Sequence, residues 1–132
     1  MKVMALDYGS ARTGVAVSDP TGLIARPLCV VEQAGTGDGL DELVRLVESE
    51  AVGQVVVGHP LTLRGQRGDQ AHATEQFARR LRERVDVPVV LFDERFTTDL
   101  AQQSAGSGAA EDARAAAHLL SSYLAWSSAA PA

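Results

Sequence analysis

The sequence predicts an α/β domain. Its sheet has five strands and is mixed, a three-strand antiparallel meander plus two parallel strands, with helices on both faces. Three observations predict this. The apolar runs Val3–Leu6, Val15–Ser18 and Leu28–Glu32 follow one another with no helix-length segment between them. The later runs Gln54–Val57 and Val89–Phe92 are each preceded by a stretch with apolar residues at helical spacing. Strand–helix–strand units of that kind form right-handed parallel crossovers.

The elements follow in order. Lys2-Val3-Met4-Ala5-Leu6 runs apolar and stops at Asp7-Tyr8-Gly9. Gly9–Gly14 is too short for a helix, and Val15-Ala16-Val17-Ser18 resumes as a strand, so the first two strands pair as a hairpin. Leu40, Leu43, Val44 and Val47 predict a helix over Leu40–Glu50. Gly58–Gly68, with Pro60 and Gly65, reads as a loop, and Asp69–Arg84 as a helix with an acidic cap at Asp69. Pro88 opens the fifth strand. Helices are expected over Thr97–Ala105 and Glu111–Trp126, split by Gly106-Ser107-Gly108. One domain over residues 1–126 and a flexible tail over 127–132 complete the reading.

Composition narrows the function classes. The chain has 132 residues, 45% hydrophobic and 22% charged, which suits a single globular domain. A net charge of −5 argues against a protein that coats nucleic acid by bulk electrostatics. Cys29 is the only cysteine, so no intrachain disulfide forms, which suits a reducing cytoplasm. No signal peptide and no membrane-spanning run is read, so a cytoplasmic location is expected. Charge is uneven along the chain. Asp38–Glu50 is acidic and reads as a solvated helix face. Arg64–Arg84 is locally basic, and Arg64 and Arg67 lie in a glycine loop, where loop residues often contact partners.

The chemistry lies in acids at element ends. Asp7 ends the first strand, Asp93-Glu94 ends the fifth, and Asp112 opens the last helix. A central first strand brings Asp7, Gly58 and Asp93-Glu94 to one edge, where open α/β sheets bind ligands. From Asp112 the helix face runs through Ala116, Leu119, Tyr123 and Trp126, so the acid points with the core-facing side chains. Alone, Asp112 reads as an acid placed for the helix dipole; beside Asp7 and Glu94 it reads as a ligand. Converging carboxylates hold hard cations such as Mg²⁺ or Mn²⁺. Two such ions, about 4 Å apart, suit phosphodiester hydrolysis.

These residues also carry a resemblance. Met4-Ala5-Leu6-Asp7-Tyr8-Gly9-Ser10 with Gly14-Val15-Ala16-Val17-Ser18-Asp19, then Val57-Gly58-His59-Pro60-Leu61 with Gly65, then Asp93-Glu94-Arg95-Phe96-Thr97-Thr98, and finally Asp112-Ala113-Arg114-Ala115-Ala116 before Leu119–Leu124, resemble in order the four motifs of the YqgF (RuvX) family. The resemblance covers nearly the whole chain. It implies an RNase H-like fold and a metal-dependent nuclease, either one that matures the 5′ end of 16S ribosomal RNA precursor or a Holliday-junction resolvase. The implied acidic triad is Asp7, Glu94 and Asp112. Asp93 either supports those ligands or is itself the ligand with Glu94 turned away. Arg12, Arg64 and Arg67 are the expected phosphate contacts, and Arg95 pairs with the acids or touches a phosphate. Thr97 is expected to cap the helix after it.

Three departures bear on substrate. Arg12 alone supplies the basic residue of the first turn. His59 stands where the family usually has leucine, and near a metal site it is a candidate proton shuttle. The segment Gln102–Glu111 is shorter and less basic than usual. Expected partners are structured RNA or branched or single-stranded DNA, with the protein a monomer or, for a symmetric junction, a homodimer. A non-catalytic nucleic-acid-binding module is the alternative of another class. A nucleotide-binding module with Gly9 and Gly14 cradling phosphate is a third, but the chain has room for one copy of a fold that such ATPases use twice. His72 and His118 read as structural or surface residues.

Overall fold

The structure is a computed structural model that describes residues 1–97 and 109–129. It contains five strands: β1 (Val3–Asp7), β2 (Arg12–Ser18), β3 (Ala25–Glu32), β4 (Gln54–His59) and β5 (Val89–Asp93). Three helices accompany them: α1 (Gly37–Ser49), α2 (Asp69–Arg82) and α3 (Ala109–Ala129). A single 3₁₀ turn, Glu94–Phe96, follows β5. The sheet order is β3-β2-β1-β4-β5, so the meander β1–β3 and the parallel pair β4–β5 meet at a central β1. The mixed five-stranded sheet expected from the sequence is the one observed.

Burial on both faces explains why β1 and β4 are nearly continuous apolar runs. Successive side chains leave opposite faces of a strand. Met4, Leu6, Val15, Val17, Val55 and Val57 therefore pack with Leu40, Leu43, Phe77 and Leu81 from α1 and α2. Val3, Ala5, Ala16, Val56 and Phe92 pack with Ala116, Leu119, Leu120 and Leu124 from α3. Helices thus cover both faces, two on one side and α3 on the other.

Several boundaries differ from expectation, each for a local reason. In α1 the Thr36 side chain accepts a hydrogen bond from the Gly39 amide at 3.2 Å, so the helix starts ahead of its first apolar residue. Gly68, not Asp69, is the N-cap of α2; Asp69 lies in the first turn, where its charge suits the helix dipole. β2 begins at Arg12, because the ladder with β3 extends to Arg12 opposite Glu32. The last helix runs through Ala129, past Trp126. Its buried face is Ala113, Ala116, Leu119, Leu120 and Leu124, leaving Tyr123 half-buried and Trp126 52% exposed. Cys29 is half-buried, since β3 is an edge strand. The helix expected over Thr97–Ala105 and most of the shortened segment Gln102–Glu111 lie outside the described residues, as do residues 130–132.

Gly14 sets how closely α3 approaches the sheet. A Cβ there would fall far inside van der Waals contact of the Asp112 carbonyl oxygen, in the first turn of α3. The glycine therefore makes room for a helix and does not cradle phosphate. Gly14→Ala is expected to destabilise the protein by about 1–3 kcal/mol through overpacking. Gly37→Ala, where an added Cβ meets nothing within 4 Å, should lie within about 0.5 kcal/mol of wild type. Urea unfolding of the two variants checks both.

Candidate active site at the acidic edge of the sheet

The alternation of β-strands decides which acids meet. Ala5 faces α3, so Asp7, two residues on, leaves the sheet on the same side. Phe92 also faces α3, and Glu94 follows it two residues later. Leu6 pairs with Val57, and Gly58 pairs with Phe92, so both acids reach the same C-terminal edge. Gly58 lies between their strands, and a Cβ on it would come within 2.5 Å of Glu94 Oε1. Its missing side chain is the space that the Glu94 carboxyl occupies. Leu119 of α3 closes that space from the apolar side.

Asp7 and Glu94 are joined by a carboxyl–carboxyl hydrogen bond in which Glu94 donates. Burial, the negative charges of Asp7 and Asp93, and that donated bond push the Glu94 pKa up to about 7. Burial, then the charge of Asp112, raise Asp7, while the bond from Glu94 acts in the opposite direction. The two acids therefore share one proton near neutrality.

Asp112 comes from α3, facing the pair. The Arg12 Nε stands 3.0 Å from Asp112 Oδ2. The contact is an ion pair without hydrogen-bond geometry, since Oδ2 is buried and makes no hydrogen bond among the described residues. Arg12 shares strand parity with Gly14 and Ala16, which is why it leaves β2 toward α3.

Asp93 leaves β5 on the opposite face. Its carboxylate accepts from the Arg95 amide at 2.9 Å and takes the Arg95 guanidinium, Nη2 to Oδ2 at 2.5 Å. Those bonds hold it below the usual carboxylate range. Between the two readings of this dipeptide, Glu94 is the acid that meets Asp7, and Asp93 anchors the 3₁₀ turn. Arg95 is committed to Asp93, and its guanidinium also lies over Gly65 of the loop between β4 and α2. His59 ends β4 opposite Asp93 and points toward α2, where its Nε2 is 2.7 Å from Glu75 Oε2. Arg67 clamps the same carboxylate, with Nε 2.9 Å from Oε2 and an ion pair from Nη2. The bonds from Arg67 and His59 lower Glu75 to about 2. Arg64 is exposed and has no ion pair among the described residues. Thr97 Oγ1 is buried without a hydrogen-bond partner among the described residues; the helix it was expected to cap lies outside them.

Glu75 escaped the sequence reading. Its signal was available, because it lies four residues after Ala71 and three before Ala78, on the buried face of α2. An acid on an apolar helix face calls for a partner.

Among the described residues, no group of three or more His, Cys, Asp or Glu side chains is gathered closely enough to hold a metal ion. The four acids expected as ligands are divided: Asp7 and Glu94 share a proton, Asp112 is paired with Arg12, and Asp93 with Arg95. Like charges in a half-buried site separate or neutralise one another, and both occur here.

A mixed five-stranded sheet in the order β3-β2-β1-β4-β5, with helices on both faces, is an RNase H-like fold. The chain belongs to the RuvX family, described as Holliday junction resolvase, and the match spans residues 1–126. A Chloroflexus aurantiacus protein provisionally named pre-16S rRNA nuclease is 44% identical over 101 residues, 76% of this chain and 66% of that protein. The chain thus spans just under two thirds of that relative's length. A Gloeobacter violaceus protein of the same name is 37% identical over 130 residues, covering 94% of this chain and 83% of its own. Among solved structures, Thermus thermophilus RuvC in complex with Holliday junction substrate superposes with a TM-score of 0.64, covering 98% of this chain and 96% of that one. At 16% identity that likeness concerns the fold.

The Glu94 pKa has a consequence for stability. An unfolded glutamate titrates at about 4.5 and the folded one at about 7. Between those values the folded state holds a proton that the unfolded state has released, so stability falls as pH rises through that window. In chelator at pH 8, Glu94→Gln should be more stable than wild type by about 1–2 kcal/mol. At pH 4.5 the difference should largely vanish. Thermal unfolding at the two pH values measures it.

Proposed function

We propose that this chain is a divalent-metal-dependent nuclease that hydrolyses phosphodiester bonds, with the 5′ region of 16S ribosomal RNA precursor as its substrate in the cytoplasm. The observation that carries the reading is the Asp7–Glu94 carboxyl pair at the C-terminal edge of the central strands, faced by Asp112 on α3. The names of the relatives favour the RNA substrate.

The donor set fits a hard divalent cation. It offers carboxylate oxygens only, two carboxyls raised in pKa first by burial and then by neighbouring acids (Asp112 for Asp7, Asp7 and Asp93 for Glu94), and a buried Asp112 Oδ2 that lacks a hydrogen bond among the described residues. Asp7, Glu94 and Asp112 would hold Mg²⁺ or Mn²⁺, two ions being the number expected from the sequence. Such a cation supplies neutralising charge and Lewis acidity for attack of water on phosphorus. Glu94 must give up the proton it shares with Asp7 for that binding. Arg64 contacts substrate phosphate, while Arg67 and Arg95 hold the loop that carries Arg64. His59, bonded to Glu75, supports the same loop in preference to carrying protons.

Asp7→Asn is expected to abolish cleavage while its thermal unfolding stays cooperative. Labelled precursor RNA and four-way junction DNA, each with Mn²⁺ or with chelator, are the substrates. Metal-dependent cleavage by Asp7→Asn would reject the assignment. The family description favours junction resolution as the second reading, and preferential cutting of the junction would select it. Binding of both without cutting by wild type would select a non-catalytic module.

Arg64→Glu should weaken RNA binding and lower the slope of log affinity against log salt by about 1, whereas Arg67→Gln should change the slope less because Glu75 neutralises Arg67. Fluorescence anisotropy across a salt series reads both slopes.

A further inference from the structure

Arg12 occupies an unusual position between the two ligands that the proposed function requires. Its guanidinium is the cation beside Asp112, yet the pair has charge contact without directed bonding. Side-chain exposure is 43% for Arg12 and 32% for Asp112, so the guanidinium can swing toward solvent while the carboxylate stays against the sheet. The two residues sit on separate elements, the first residue of β2 and the first turn of α3, and Gly14 brings those elements together. Neither needs to move as backbone for the pair to separate.

The competing partners are stronger on both sides. A guanidinium binds a phosphodiester through two parallel charge-assisted hydrogen bonds, geometry that it does not have with Asp112. A carboxylate with an unbonded buried oxygen binds a divalent cation better than a loosely held monovalent group. When either competitor arrives, it releases the residue that the other one needs.

We propose that Arg12 is an exchange contact: it pairs with Asp112 in the free protein and passes to a backbone phosphate of the nucleic acid, so that nucleic-acid binding and divalent-cation binding favour each other. The inference rests on the metal-nuclease reading of the same site. Phosphate on Arg12 frees Asp112 to join Asp7 and Glu94, and a cation on those acids frees Arg12 for phosphate. By linkage, each ligand raises the affinity of the other by the same factor. The consequence is a selective one. The third acid becomes available when a phosphodiester strand lies against the first turn of the chain, so a cation alone gathers the acids poorly.

The test uses Ca²⁺, an oxygen-seeking cation, and a short fluorescein-labelled single-stranded RNA with the full chain. Calorimetry gives Ca²⁺ affinity with and without RNA, and anisotropy gives RNA affinity with and without Ca²⁺. Wild type should show mutual enhancement of about tenfold, equivalent to about 1.4 kcal/mol of coupling. Arg12→Gln should bind Ca²⁺ more tightly than wild type in the absence of RNA, and its enhancement should fall to about threefold or less. Arg12→Lys, which keeps the charge but not the paired hydrogen bonds, should retain only part of the enhancement, and cooperative thermal unfolding of Arg12→Gln separates loss of the exchange from misfolding. Enhancement of equal size in wild type and Arg12→Gln would overturn the exchange. If Asp7→Asn loses Ca²⁺ binding while Arg12→Gln behaves as wild type, the metal site stands and only the exchange fails. If none of the proteins binds Ca²⁺ at the acids, the metal-nuclease reading fails with it.

Discussion

The placement of β1 between β2 and β4 is the constraint on which the rest depends. Its antiparallel register with β2 sets Asp7 opposite Gly14, and its parallel register with β4 sets Leu6 opposite Val57. With those two registers fixed, strand alternation assigns every polar group at the C-terminal edge to one face or the other. Asp7, Gly58, Glu94, Gly14 and Arg12 fall on the α3 side. His59 and Asp93 fall on the α2 side. A slip of one residue in β5 would exchange Glu94 for Asp93 and leave Asp7 without its partner. The large apolar residues of both cores hold that register, because the same slip would also turn Phe92 away from α3.

The edge divides into two electrostatic regimes. On the α2 side, charges are matched: Asp93 with Arg95, and Glu75 with Arg67, while His59 hydrogen-bonds the same Glu75 carboxylate. These pairs are partly exposed and contribute modestly to stability. Their effect is geometric, since together they tie the end of β4, the loop after it and the turn after β5 into one assembly. On the α3 side, charges are unmatched. Two half-buried acids share a proton and a third leans on one exposed arginine. A site built for a cation shows that pattern, in which the protein supplies more negative charge than it neutralises.

Much of this was legible in the sequence, and the reasons are specific. The apolar runs were short and bounded by glycine, so five strands and their order followed from periodicity and crossover handedness. Asp7 was legible as a candidate site acid because it does not help β1 pack, whereas Asp112 became a candidate only beside Asp7 and Glu94, since alone it suits the helix dipole. Asp93 and Glu94 were not separable from sequence alone, because the choice depends on strand parity carried through β5 into the turn. Asp19 illustrates the opposite limit. It also ends a strand, yet its carboxylate accepts from the Leu23 and Ile24 amides at 2.8 and 2.9 Å and builds a turn at the far edge. The arginines were harder still. Arg64 and Arg67 looked equivalent as candidate phosphate contacts, and Arg95 was left between the acids and a phosphate, but Arg67 and Arg95 have carboxylate partners from another element and from a turn, which no local pattern records.

Under the proposed function, the unmatched and matched halves together account for how a chain of net charge −5 would take a polyanion. Bulk attraction is absent, and at the edge most arginines already face carboxylates. What remains for phosphate is Arg64 on its loop and Arg12 when Asp112 releases it. Without a cation, a phosphate approaching Asp7, Glu94 and Asp112 meets like charge in a half-buried setting, where screening is weak. In the proposed exchange a cation turns that same cluster from repulsive to attractive and sets Arg12 free, so the field at the site would reverse locally while the rest of the surface stays acidic. Affinity is then concentrated at the site of the chemistry, and a strand that does not reach the acids has little to hold it.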